Sequence, residues 1–128
     1  MASNNRGSIS AFAVCSLIGM TTLAGLVFDG GRVISAYAET SDVAENAARF
    51  GCQQVAGIRS GKIHVDSVNA RVRITSYLSE HDLSGLIDVD SGGARVTVTK
   101  KIPMKLLSLI GIDSRTVTVT RSAHVVSG

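Results

Sequence analysis

Residues 7–28 read GSISAFAVCSLIGMTTLAGLVF and contain no charged side chain. At about 1.5 Å per residue a helix of this length covers a hydrocarbon core of about 30 Å. The run is apolar on all sides, which distinguishes a lipid-facing helix from the one-sided helix of a small soluble domain. Two rivals are weighed against a membrane span. A cleaved secretory signal would use the small-residue site Thr22-Leu23-Ala24, with a mature chain starting near Gly25, but its apolar run is usually shorter. A buried helix of a soluble domain is the other. Charge sets the expected orientation. Arg6 and the α-amino group precede the run, while Asp29 and Arg32 nearly cancel after it, so the N-terminus stays inside and the remainder lies outside.

The rest of the composition narrows the function classes. The 128 residues are 45% hydrophobic but only 4% aromatic, with no Trp. Base stacking needs aromatic faces, so a nucleic-acid platform is disfavoured. Two cysteines make neither a disulfide scaffold nor a four-thiolate zinc site. Cys15 falls within the apolar run and Cys52 well beyond it, too far apart on one helix to bond to each other.

Asp29-Gly30-Gly31-Arg32 punctuates the end of the apolar run. Its glycines either hinge two helices or admit a close neighbour. Asp29 and Arg32 form a pair on one face, a contact to a neighbour's amine, or a solvated interfacial pair of little energetic weight. From Val33 to Val55 the helical spacing continues through Val33, Ala36, Tyr37, Thr40, Ala44, Ala47 and Gly51, a stripe of mostly small residues suited to close packing. Gly57 and Gly61 are expected to stop it.

Beyond this, Ile63-His64-Val65 is briefly extended. Asp66 or Ser67 caps a second helix running to about Glu80, whose expected buried edge is Val68, Val72, Thr75 and Leu78, with Ile74 and Tyr77 beside it. Leu86–Asp90 and Ala94–Lys100 alternate around Ser91-Gly92-Gly93 and predict a hairpin. Thr116–Val125 is a third strand, with Val117, Val119, Arg121, Ala123 and Val125 on one face. The predicted fold class is α+β. A long N-terminal helix, membrane-spanning in its first half, and a second helix pack on a small antiparallel sheet of about three strands. The expected divisions are 1–28, tail and transmembrane helix; 29–56, amphipathic continuation; and 57–128, a small extracytoplasmic head.

No catalytic signature emerges. His64, His81 and His124 are scattered, and Glu80-His81-Asp82 reads as a solvated helix end. There is no HExxH, G-x-S-x-G, Walker loop or CxxC. Neither an enzyme nor a cofactor is expected. Beyond Val55, ten Lys and Arg face six Asp and Glu. Arg95, Lys100, Lys101 and Lys105 are candidates for a basic patch toward an anionic partner, against the plainer reading of a solvated sheet face.

The order of these features resembles the TadE/TadG-like proteins of tight-adherence (Flp-type) pilus assembly. The residues carrying it are Arg6-Gly7-Ser8, then Leu23-Ala24-Gly25-Leu26-Val27 entering Asp29-Gly30-Gly31-Arg32. Ser41-Asp42-Val43-Ala44-Glu45-Asn46-Ala47-Ala48-Arg49 and the run Leu106–Ile112 before the Thr/Val strand add to it. The resemblance implies a minor-pilin-like or pseudopilin-like, pilin-shaped subunit of a bacterial envelope machine. It would sit single-pass in the cytoplasmic membrane or in an extracellular pilus. Its partners would be the bilayer, further copies, other pilin-like subunits or assembly-platform proteins. Gly7 and Ser8 would flank a processing site. One departure follows: such pilins usually carry Glu at the fifth mature position, and here that position is Phe12. Ala11, Gly19, Thr21 and Gly25 are the candidate helix-packing positions, with Thr21 and Gly25 in small-xxx-small spacing. The alternative function is a membrane-anchored binding module using the basic sheet.

Overall fold

The computed structural model describes residues 6–126. The α-amino group used above to orient the chain lies outside the described residues. Helix α1 runs unbroken from Arg6 to Cys52, 47 residues, or about 70 Å at 1.5 Å per residue. It is followed by β1 (Val55–Ala56), a 3₁₀ turn (Ile58–Ser60), β2 (His64–Val65) and helix α2 (Ser67–Glu80). Strands β3 (Gly85–Val89), β4 (Gly93–Pro103) and β5 (Ser114–His124) complete the fold, with a second 3₁₀ turn, Leu107–Ile110, between β4 and β5. The architecture is α+β: two helices against an antiparallel sheet of order β3-β4-β5, plus the two-residue β1-β2 pair.

The sheet follows the alternation of its residues. Val96 opposes Ile87 on one side of β4 and Arg121 on the other, and Val98 opposes Val119. Ala94, Val96, Val98 and Ile102 of β4, with Val117 and Val119 of β5, turn inward onto α1. The opposite face carries hydroxyl pairs, Thr97 with Thr120 at 2.9 Å and Thr99 with Thr118 at 3.3 Å. Pro103, paired with Ser114, is the last residue of β4.

Against the sheet, α1 presents Val43, Ala44, Ala47 and Ala48. Short side chains let the sheet lie close to the helix backbone, so the covering apolar area comes from the strands. Gly51 continues this face: a Cβ there would lie 2.5 Å from Cδ1 of Ile74, so its absence lets α2 cross close to α1. Tyr37, placed in the stripe by its spacing, is 46% exposed because it lies to one side of the line through Ala36, Thr40 and Ala44.

Three expectations need correction. Helix α1 ends at Cys52, before Gly57, because Val55 and Ala56 pair with Val65 and His64 instead of extending the helix. Gly57 then supplies the left-handed turn after β1, at φ 80°, where a Cβ would fall 2.0 Å from the Lys62 carbonyl. Gly30 and Gly31 do not hinge α1, which is continuous through them, and nothing in the chain lies within 4 Å of a Cβ at either. Third, the buried edge of α2 is Ala70, Ile74 and Leu78, while Val68 and Val72 are 71% and 65% exposed. Both stripes have helical spacing. The one chosen places its small member, Ala70, in line with Ile74 and Leu78 and keeps Arg71 free to donate to the Ile87 carbonyl at 2.7 Å.

Two outcomes follow for the full chain in detergent micelles. Ile74→Ala should cost about 2–5 kcal/mol of head stability by chemical denaturation, whereas Val72→Ala should stay within about 0.5 kcal/mol. Asp66 caps α2 by accepting from the Val68 and Asn69 amides at 3.1 and 3.2 Å. The Asn69 amide, with the Asn69 side chain and the Val68 amide, holds its carboxyl below the ordinary 3.8 against a smaller opposing effect of burial. That contribution is full above pH 3.8 and is lost as pH falls through the lowered value. Thermal melts across this acid range should show a shallower decline for Asp66→Asn, whose amide still caps but does not titrate.

Candidate functional site

Gly25, Asp29 and Arg32 stand at i, i+4 and i+7, one above another on a single face of α1. The segment leaving β4 passes directly over them. Asp29 is completely buried. Its Oδ2 accepts from the Leu106 amide at 2.8 Å and the Leu107 amide at 2.7 Å, and its Oδ1 from the Lys105 amide at 3.1 Å. Arg32 Nη1 lies 3.8 Å from Asp29 Oδ1 and donates to the Pro103 carbonyl at 2.9 Å. The carboxylate thus gathers the free amides at the start of the Leu107–Ile110 turn, as a capping residue does for its own helix. Here the cap comes from a helix 76 to 78 residues earlier in the chain. Below it, Gly25 leaves room for the loop: a Cβ there would lie 3.3 Å from the Leu106 Cβ.

The solvated Asp29–Arg32 pair is therefore corrected: Asp29 is dry and its oxygens are turned to the chain's own backbone. Further tethers follow up the helix. Lys100 Nζ meets Glu39 Oε2 at 3.4 Å, Arg121 Nε donates to Ser41 Oγ at 3.1 Å, and Cys52 Sγ donates to the Ala123 carbonyl at 3.1 Å. Cys15 and Cys52 are both free thiols.

The other sequence-derived positions are dispersed. Gly7 and Ser8 lie in the exposed first turns of α1. Ala11, Gly19 and Thr21 are exposed, while Gly25 is buried beneath Leu106. Lys100 points along the helix side of the sheet to Glu39; Arg95 and Lys101 are exposed on the opposite face, six residues apart and so separated by about 20 Å. Lys105 is exposed beside the junction. These four cations do not converge on one surface. The amides of Lys105, Leu106 and Leu107 and the Pro103 carbonyl were not singled out by the sequence reading. A signal was present: an unpaired run of amides after Pro103 and a lone carboxylate ending an uncharged run.

Below Gly25 the helix is bare. Ile9, Phe12, Leu17, Ile18, Met20 and Leu23 are each more than 60% exposed. A soluble core helix would be covered here. Among the described residues α1 is long and apolar enough to cross a membrane.

Removing the Asp29 carboxylate should loosen the junction without melting α1. Hydrogen exchange on the detergent-solubilised chain should show faster exchange of amides 105–111 in Asp29→Ala and unchanged protection of α1 between residues 40 and 50.

No curated protein and no solved structure matches the chain. Residues 7–54, which are α1 and the two residues after it, match the family model described as "Putative Flp pilus-assembly TadE/G-like". Over this stem, and not beyond it, the chain is similar to the TadE/G-like proteins of Flp pilus assembly.

Proposed function

We propose that this chain is a minor-pilin-like or pseudopilin-like subunit of a tight-adherence pilus machine. It is held in the cytoplasmic membrane by residues 7–28 and works by bundling that helix with those of other subunits. The observation that carries the reading is the division of α1: a bare apolar lower part and an upper part clad by the chain's own head. The family match over the same helix supports a part in pilus assembly, a structural task in kind. In this reading residues 1–28 are tail and membrane span, 29–56 carry the stem out of the bilayer, and 57–128 form the external head.

The mechanism is an exchange of apolar surroundings. In the bilayer, lipid covers Phe12, Leu17 and Leu23. Leaving it exposes area worth about 25 cal/mol per Å² unless neighbouring helices cover that area at once. Ala11, Gly19 and Thr21 allow such helices to approach closely. Gly25 is already occupied by Leu106 of the same chain, so contacts with sister helices fall below the head.

Exchange of residues 8–20 for an unrelated transmembrane sequence tests this. Pilus assembly should be lost while membrane insertion and head folding persist. Assembly at the original level would reduce α1 to an anchor and end the bundling reading.

A further inference from the structure

The segment from Lys105 to Ile112 does more than supply amides to Asp29 and Leu107 to the core, because it also turns apolar side chains outward. Its turn exposes four large aliphatic side chains: Leu106 at 42%, Leu109 at 80%, Ile110 at 58% and Ile112 at 42%. Exposed apolar clusters on a small head call for a cover. The position of this one identifies it. Leu106 sits on Gly25, and with Leu109 and Ile110 it forms one wall of an apolar groove whose other wall is Thr21, Thr22 and Ala24. Residues 21–25 lie three to seven positions below Phe28, the last residue of the uncharged run. At about 1.5 Å per residue that is roughly 5–10 Å below the end of the apolar helix. The depth matches that at which amphipathic elements rest in the boundary between headgroups and acyl chains.

We propose that the Leu106–Ile112 turn is a second membrane element, a short finger dipped into the outer side of the same bilayer that α1 crosses. The inference rests on the membrane-span reading above and adds a contact to it.

The polar groups at this level are arranged for lipid. Hydrocarbon accepts backbone only where its hydrogen bonds are closed internally. In the turn, the Leu109 amide donates to Leu106, Gly111 to Ser108 and Ile112 to Leu107, and Ser108 Oγ donates to the Lys105 carbonyl at 2.8 Å. The amides of residues 105–107 are taken by Asp29. On the facing helix, Thr21 and Thr22 return their hydroxyls to the Leu17 and Ile18 carbonyls at 2.8 and 2.9 Å. The charged residues flanking the finger, Lys105, Asp113 and Arg115, are exposed, two cations to one anion, suited to an anionic headgroup layer. Because head and stem are already joined through Asp29, the second contact fixes the rotation of the whole molecule about the stem axis and its height in the bilayer. Drawing a subunit into a filament would lift both the finger and the stem out of lipid.

The chain has no Trp, so single-Trp variants report one position each. Leu109→Trp, Leu17→Trp in the stem and Leu86→Trp, a 78% exposed position on β3, are compared as full-length protein. The protein is reconstituted in vesicles of phosphatidylcholine and phosphatidylglycerol with brominated acyl chains. The expected result is a blue-shifted emission with loss of intensity to bromine at positions 17 and 109, and neither at 86. Quenching at 17 with water-like emission at 109 would overturn the finger and leave the stem intact. Blue-shifted but unquenched emission at 109 would also overturn it, placing a protein neighbour over the turn. Absence of quenching at both 17 and 109 would overturn the finger together with the span on which it rests. As a check on folding, Leu109→Glu and Leu86→Glu should both keep the head's circular dichroism. Only Leu109→Glu should loosen the molecule's fixed orientation on the bilayer, read as faster anisotropy decay of a label on a cysteine placed at the exposed Ser122, with Cys15 and Cys52 replaced by Ala.

Discussion

One buried carboxylate joins the two halves of this molecule. Asp29 ends an uncharged run and would be costly to bury without partners. It is accommodated because the chain returns from 76 residues away and points three backbone amides at it. The same contact resolves a second problem, since those amides open a 3₁₀ turn and have no acceptor of their own. Arg32 completes the arrangement by holding the Pro103 carbonyl just before the turn. Each partner would be a liability alone, and together they set where the head sits on its stem.

Above this junction the stem is built from residues that take up little room. Ala44, Ala47, Ala48 and Gly51 bring little apolar area themselves, yet they let Val96, Val98, Val119 and Ile74 lie against the helix. The head is too small to be robust without this surface. Its sheet uses the valine side of β4 and β5 for the stem and leaves a threonine-lined side to water. Below the junction the same helix carries large aliphatic side chains outward. One continuous element thus changes character along its length, bare and apolar below and clad by the head above, and the change falls at Gly25–Asp29.

Much of the fold was legible in the residues. The uncharged run, the Asp66 cap, the Ser91-Gly92-Gly93 turn and the Thr/Val alternation each carry a local signal, and each element appears where that signal lies. Choices between local equals were not legible. Helix α2 offers two stripes of helical spacing, and only contact with α1 and β3 selects Ala70, Ile74 and Leu78 over Val68 and Val72. Cations close in sequence, Lys100 and Lys101, part company because a strand turns alternate residues to opposite faces. Glycines at 30 and 31 left open a hinge or a close neighbour, and the structure shows neither within the chain: the helix is continuous through them, with nothing in the chain within 4 Å of a Cβ at either.

By itself the sequence determined the α+β class, the apolar stem, the hairpin and the resemblance to TadE/TadG-like proteins, because each rests on periodicity or on order along the chain. Tertiary structure alone decided that Asp29 is dry, that Gly25 belongs to the head's own loop, and that Leu106, Leu109 and Ile110 stand beside the upper turns of the apolar helix. Those facts depend on residues some eighty positions apart meeting in space. Hydropathy along a chain carries no record of which distant amides will converge on a single carboxylate.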